Sequence, residues 1–355
     1  MSDVSLSVSG MIYGGWTRVR ITRSIEHMAG TFDLQLTERY PAESSKIDIQ
    51  LGTASKVAID GETVITGYVF DNNPSFNARS REVAAAGRDV TGDLVDCSAI
   101  NRPGEWLKAG LQKIVTELAK PFGIPVRFEA ATGAVFAKFR IEEGETAFEA
   151  IDRACRMRSL LAISDGRGSL VITKPGVARA GVRLEEGVNL LSGSAGYSQN
   201  ERFSRYIVKA QQPGSDDLSV EQTTHVVAEA ADAGVTRYRP MLILAEDSAD
   251  RKSANDRAKF EANVRAARSQ SINVKVQGWR ESEGGPLWSP NRLVSIKSGT
   301  LKINQEMLIS QVVNTKGSGG TISELTLLPP AAFDIEPVKE KKAKGSDQGA
   351  LQWIE

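Results

Sequence analysis

From Val4 to about Val90 apolar and polar residues alternate with period two, as in Phe32-Asp33-Leu34-Gln35-Leu36-Thr37 and Ile47-Asp48-Ile49-Gln50-Leu51. Successive side chains of a strand point to opposite faces, so this pattern predicts short, half-buried strands. Turn signals separate them at close intervals: Ser9-Gly10, Gly14-Gly15, Gly52, Asp60-Gly61 and Asp71-Asn72-Asn73-Pro74. Val57-Ala58-Ile59, then Asp60-Gly61, then Glu62 to Val69 predicts a hairpin, because Asp-Gly supplies the two positive φ values of a type I′ turn. A small antiparallel barrel or sandwich is expected.

The period changes near residue 100. Trp106, Leu107, Leu111, Ile114, Val115 and Leu118 fall at helical spacing, and Pro121, Gly123 and Pro125 end that helix. A second helix is expected from Thr146, where Thr-Ala-Phe-Glu can form a capping box and Phe148, Ile151 and Cys155 face inward. Leu160 to Ser164 and Ser169 to Thr173, joined by Asp165-Gly166-Arg167-Gly168, read as a hairpin. Residues 96–180 therefore form an expected α/β insert.

Strands resume beyond Gly187, at Tyr206 to Ala210, Thr223 to Val227 and Met241 to Leu244. Ser248 to about Arg268 is an Ala- and charge-rich helix with a thin stripe of Ala258, Val264 and Ala267. Ile272 to Gln277, Leu293 to Lys297, Met307 to Thr315 and Thr321 to Leu327 complete a second β unit. Leu293 to Val313 repeats the strand and turn order of Ile47 to Val69, with Ile296, Gly299, Leu301 and Ile309 in comparable places. The fold class expected is mainly β with an α+β insert: two similar small β-barrels per chain plus an α/β insert domain. The boundaries are a first barrel at 1–95, the insert at 96–180, a second barrel with its helix at 181–335, and a flexible charged tail at 336–355 that closes on Leu351-Gln352-Trp353-Ile354.

Charge and composition remove several classes of function. Lys plus Arg and Asp plus Glu are each 44, so no global field holds nucleic acid or anionic lipid. The longest apolar runs are too short to span a bilayer, so no membrane insertion is expected. Cys97 and Cys155 suggest no disulfide framework and a reducing compartment. His27 and His225 are the sole candidate imidazole bases and neither neighbours a cysteine, while no spacing of zinc or calcium ligands occurs. Glu142, Glu143 and Glu145 precede a helix N-terminus, where carboxylates favour the helix dipole, and Arg153, Arg156 and Arg158 sit at its other end for the same reason. No catalytic residue, cofactor or metal site is expected.

The run Val274-Lys275-Val276-Gln277-Gly278-Trp279-Arg280, followed by Gly285-Pro286-Leu287-Trp288-Ser289-Pro290-Asn291, resembles the β segment of Mu-type baseplate hub proteins of contractile-tailed phages. Glu143-Gly144-Glu145-Thr146-Ala147-Phe148, Leu160-Leu161, Asp165-Gly166-Arg167-Gly168 and the Ala-rich helix are similar too, so the likeness covers most of the chain. It implies a structural hub of a phage or prophage tail, a homotrimer whose six quasi-equivalent barrels join the sixfold tail tube to the threefold spike. Implied partners are the tail spike, the tail tube and other baseplate proteins, with DNA passing through the lumen without tight binding. The implied place is the virion baseplate, after synthesis and assembly in the host cytoplasm. The hub portion of type VI secretion spikes is similar to this family. Those spikes carry a needle downstream, whereas this chain stops at Glu355, so its spike is expected to be a separate chain.

Five residues are expected at partner contacts. Leu351, Trp353 and Ile354 would dock the spike or fold back onto their own subunit, and Trp279 and Trp288 flank the loop Glu281 to Pro286, where a large ring can cover a barrel or a subunit contact. Two other readings stay open. A tail-associated cell-wall hydrolase lacks a catalytic constellation, and a monomeric carbohydrate-binding β module would want more aromatics than 6%.

Overall fold

A computed structural model describes residues 3–39, 49–78, 80–210, 226–244 and 251–334. The first β unit holds β1 (Val4–Val8), β2 (Met11–Tyr13), β3 (Arg18–Ser24), β4 (Thr31–Arg39), β5 (Ala54–Ile59), β6 (Glu62–Asn72), β7 (Ser75–Phe76) and β8 (Ser80–Asp89). They pair antiparallel in the order β3-β4-β8-β6-β5-β1-β2. Alternate residues supply the core, among them Leu6, Val19, Ile21, Phe32, Leu34, Val57 and Ile59. Asp60 at φ 50° and Gly61 at φ 81° form the two-residue turn between β5 and β6 that the Asp-Gly pair predicts.

The insert contains α1 (Gly92–Asp96), β9 (Glu105–Ala109), α2 (Leu111–Ala119), β10 (Val126–Phe128), β11 (Phe136–Arg140), α3 (Ala147–Arg156), β12 (Leu161–Ser164) and β13 (Leu170–Thr173). The sequence placed Trp106 and Leu107 in the first helix, and the structure places them in β9, paired with β11. Gly110 is extended and caps α2, so the helix starts one residue later. Trp106 earns its strand position through Phe139, 5.9 Å away between ring centroids, and through a bond from Nε1 to Glu117 Oε2 of 2.6 Å. The capping box forms as expected: the Glu149 amide donates to Thr146 Oγ1 at 3.2 Å, and the Thr146 amide donates to Glu149 Oε2 at 2.8 Å. Ile151 and Cys155 are buried beneath α3, while Phe148 is only partly covered.

The remaining elements are β14 (Ala178–Arg179), β15 (Leu184–Glu185), β16 (Leu190–Tyr197), β17 (Arg205–Ala210), β18 (Val226–Ala231), β19 (Pro240–Leu244), α4 (Arg251–Arg268), β20 (Gln270–Gln277), β21 (Arg292–Ser298), β22 (Ile303–Gly317) and β23 (Gly320–Leu328). The second β unit is β16-β20-β23-β22 with β21 beside β22. In chain order both units therefore follow one plan, first strand beside second, second beside fifth, fifth beside fourth, fourth beside third. They share a defect as well. β6 bulges against β8 between Val69 and Asp71, and β22 bulges against β23 between Ile309 and Gln311. An extra residue at the same place in the same strand of both units is a mark of duplication. This alignment corrects the one read from sequence: Leu293 to Lys297 corresponds to β5, not to Ile47 to Leu51, and Leu301 lies in the turn between β21 and β22.

Two expectations about the barrels change. β3 pairs with β22 and merges the two units into one sheet of 15 strands, and among the described residues no sheet closes on itself. The strands at 205–244 also do not join the second unit. β18-β17-β19 form their own three-stranded sheet on α4, inserted between β16 and β20, whose counterparts β3 and β4 are joined by residues 25–30 alone.

The tip of the β12-β13 hairpin rests on β6. Gly166 has φ 70°, and a Cβ there would lie 2.2 Å from the Val64 carbonyl oxygen. Gly166→Ala should lower stability by roughly 2–4 kcal/mol, from the left-handed backbone and the overlap together. Gly284 has φ 68° with open space around it, so Gly284→Ala should cost only about 1–2 kcal/mol. Urea titration of both variants checks the difference, and equal losses would mean that the hairpin tip does not seat on β6.

Candidate functional site

The two units are joined through β22, whose 15 residues serve two partners along one edge. Ile303 to Leu308 pair with β21, and Gln311 to Lys316 pair with β3. At the bulge between them the Ser310 carbonyl accepts the Ile25 amide at 2.9 Å. Beyond it Asn314 is fully buried and donates from Nδ2 to Ser323 Oγ at 2.9 Å, and Ser323 Oγ donates in turn to the Gly278 carbonyl at 2.8 Å. Gly278 has φ 78° and turns the chain out of β20.

That turn drives Trp279 across the join. Its ring is 1% exposed and packs in the core of the first unit with Val19 and Ile21, although its chain position belongs to the second. Its Nε1 donates to the carbonyls of Thr315 at 3.0 Å and Ile322 at 3.2 Å. Trp288 is 2% exposed and packs in the core of the second unit. The Trp288 amide donates to the Trp279 carbonyl at 2.9 Å, and the Glu281 amide to Pro286 O at 2.9 Å, so residues 279–288 form a strap with one tryptophan in each core. Arg280 lies 3.5 Å from Asp60 and 3.7 Å from Glu62, and Glu281 pairs with Arg292 at 3.2 Å, which pins the strap to both units. Both rings thus flank the loop as sequence indicated, but their faces are spent on this chain's own cores and neither lies at the surface.

Among the described residues the sheet ends at β16 and at β2, and the end of β6 with β7 is a further open edge. β16 ends the sheet, yet its counterpart β3 is paired with β22. In the first unit the counterpart of residues 311–315 of β22 is residues 71–75, which run against β8 in unbroken register, Asp71 with Ala86, Asn72 with Ala85 and Ser75 with Glu82. Among the described residues no strand lies on their outer side.

A cavity of about 270 Å³ opens where both units and the insert meet, lined by Arg23, Asp89, Ser164, Asp165, Thr173 and Asn291 among others. Arg23 donates to the Trp288 carbonyl. Burial pulls its guanidinium down to about 10, with Glu62 opposing and Arg167 adding to the shift. Asp89 Oδ1 accepts from the Thr91 amide at 2.9 Å and hydroxyl at 2.8 Å, and burial pushes the carboxyl above its ordinary value despite those bonds. Arg23, Asp89 and the Asn314-Ser323 pair carry no motif, and sequence reading passed over them.

Glu145 and the arginines at the end of α3 are committed to structure. Glu145 accepts two bonds from Arg153, each 2.8 Å, and burial, which would raise its carboxyl, is outweighed by that guanidinium so that the net shift is downward. Arg156 pairs with Asp152 at 2.7 Å, and Arg158 lies over the Phe136 ring at 3.7 Å. His27 is exposed in a turn, Cys155 is buried with its thiol pushed up by desolvation, and Cys97 is exposed. His225, Leu351, Trp353 and Ile354 lie outside the described residues. No group of three His, Cys, Asp or Glu side chains able to hold a metal occurs among the described residues.

Trp279→Ala and Trp288→Ala should each destabilise by roughly 3–5 kcal/mol, since each empties a core position, and unchanged melting temperatures would refute the strap. Asp89 bears on pH. Its native pKa is raised above the ordinary 3.8, so the native state binds the proton more tightly and wild type gains stability as pH falls through the raised value. Asp89→Asn should therefore melt above wild type at pH 7, with the gap closing as pH falls through the raised value and gone below about 4. A gap independent of pH in calorimetry would exclude the titration of Asp89 as its source.

Comparison with known proteins agrees with this architecture. Residues 3–89 match the model of the Mu phage baseplate assembly protein GpP-like N-terminal domain, residues 91–174 that of the baseplate hub protein gp44-like second domain, and residues 250–336 that of the GpP fourth domain. Baseplate hub protein gp44 of Escherichia phage Mu is 34% identical over 357 residues, covering 98% of this chain and 93% of that protein. The 43 kDa tail protein of prophage MuSo2 from Shewanella oneidensis superposes with a TM-score of 0.85 at 34% identity, over 94% of this chain and 99% of its own. A tail protein from Neisseria meningitidis gives 0.76 at 23% identity, over 95% and 98% of the two chains. The chain belongs to the Mu-type phage baseplate hub proteins.

Proposed function

We propose that this hub protein acts as a homotrimeric ring that adapts the sixfold tail tube to the threefold spike and lets DNA pass. The observation that carries the reading is the duplicated β unit with one seam already made and, among the described residues, one left unmade. Inside the chain the first strand of one unit pairs with the fourth strand of the other, β3 with β22. The remaining first strand is β16 and the remaining fourth-strand edge is residues 71–75, so the same pairing repeats when β16 of one copy meets that edge of the next. Three copies with two units each would close a ring of six similar units, threefold in sequence and near sixfold in backbone.

Pro74 withholds one donor from such a ladder, which weakens the edge toward chance partners more than toward a matched strand. Equal totals of 44 cationic and 44 anionic residues suit a conduit that must release phosphates. The tube, the spike and other baseplate proteins are the partners in this reading, and the work is structural, without catalysis. Assembly would occur in the host cytoplasm, with units at 1–95, 96–180 and 181–335.

Light scattering of the purified chain should give about 115 kDa, three times 38.3 kDa, and negative-stain images should show rings. A mass of one chain at high concentration, with no ring in the presence of tube protein, would overturn the proposal and return attention to a monomeric module.

A further inference from the structure

The three-stranded sheet on α4 has two unlike faces. Val208 and Ala228 pack with Ala254 and Ala258 of the helix, and Tyr206, on the same face of β17 as Val208, is buried. The opposite face carries two rows in register, Val227, Lys209 and Leu244, then Glu229, Ile207 and Leu242. Val227 is 47% exposed, Leu242 54% and Leu244 71%. Glu229 is held by Arg205, whereas Lys209 makes no ion pair among the described residues. An apolar surface around one unmatched cation calls for an occupant with apolar groups beside a carboxylate.

The chain itself holds such a group. Of the segments outside the described residues, 335–355 carries the densest apolar cluster, Leu351, Trp353 and Ile354, followed at once by Glu355. Reach is sufficient. Asp334 follows a 3-10 turn at Pro330–Phe333 that lies against the C-terminal end of α4, where Arg268 donates to the Ala332 carbonyl at 3.2 Å. The helix has 18 residues, about 27 Å, with the sheet on its N-terminal half. Residues 335–350 can span on the order of 50 Å when extended, enough to pass along the helix and around the sheet.

We propose that Leu351, Trp353 and Ile354 pack on the outer face of this sheet in the same chain, over Val227, Ile207, Leu242 and Leu244, with the Glu355 carboxylate at Lys209. This placement chooses, of the two readings the sequence leaves open, the one within its own subunit over contact with a separate spike, and it does not depend on the ring.

The test is photo-crosslinking of the full chain carrying Trp353→benzoylphenylalanine, with peptides mapped by mass spectrometry in a mixture of 15N-labelled and unlabelled protein. The expected products join residue 353 to 226–231 or 240–244 within one chain, and they should fall several-fold in Leu244→Glu or Lys209→Glu. Those two sites are exposed, so both variants should fold. Deleting residues 345–355 should also raise binding of an apolar fluorescent dye, and Leu244→Glu should reverse that rise. Products on another part of the chain, on a second copy or on an added tail protein would each overturn the placement, as would no product at all with dye binding unchanged by the deletion.

Discussion

One strand with two neighbours on the same edge sets the form of this molecule. β22 leaves β21 after Leu308 and takes up β3 from Gln311, and the residue between them, Ser310, is bulged against β23 and gives its carbonyl to Ile25. A regular strand would have kept one partner. The bulge re-aims the ladder, so residues hundreds of positions apart become hydrogen-bonded neighbours. Asn314 lies buried just beyond the bulge, and its Nδ2 donates to Ser323 Oγ, which donates in turn to the Gly278 carbonyl. Trp279 follows next, since the satisfied Gly278 turn is what sends it into the other unit.

The insert is tied to that frame by close backbone contact as well as by apolar packing, with Met28 in the insert's core and Ile163 against Ile25. Gly166 sits against a carbonyl of β6 because a hydrogen is all that fits there, and Arg167 reaches Glu62 at 3.5 Å beside it. Where the insert and the two units converge, side chains leave a gap. The resulting cavity leaves Arg23 and Asp89 partly desolvated at its wall, and both are shifted toward their neutral forms.

Much of the local structure was legible in the sequence. The capping box at Thr146, the turn at Asp60-Gly61, the hairpin around Gly166 and the four strands from 272 to 327 depend on residues within a few positions of one another. Trp106 and Leu107 misled because their spacing suits a helix, while the partner that makes them a strand lies about thirty residues on in β11. The merging of the two units could not be read at all. Period-two alternation says that β3 and β22 each have a buried face, but it says nothing of which strand lies at either edge. Trp279 and Trp288 were singled out for their size, and their division between two cores rests on a turn whose glycine is unremarkable in sequence.

The long insertion between β16 and β20 has no counterpart between β3 and β4, although the strands on either side correspond. A duplicated chain that kept its two halves alike in every loop would present the same outline at each position and could not tell a neighbour where to sit. Here one half carries a helix and a small sheet and the other a link of six residues, 25–30. In the proposed ring the strand ladder would repeat six times while this decoration repeats three. The odd half would then act as an index mark, giving a threefold partner a defined orientation without disturbing the backbone pairing that a sixfold partner reads.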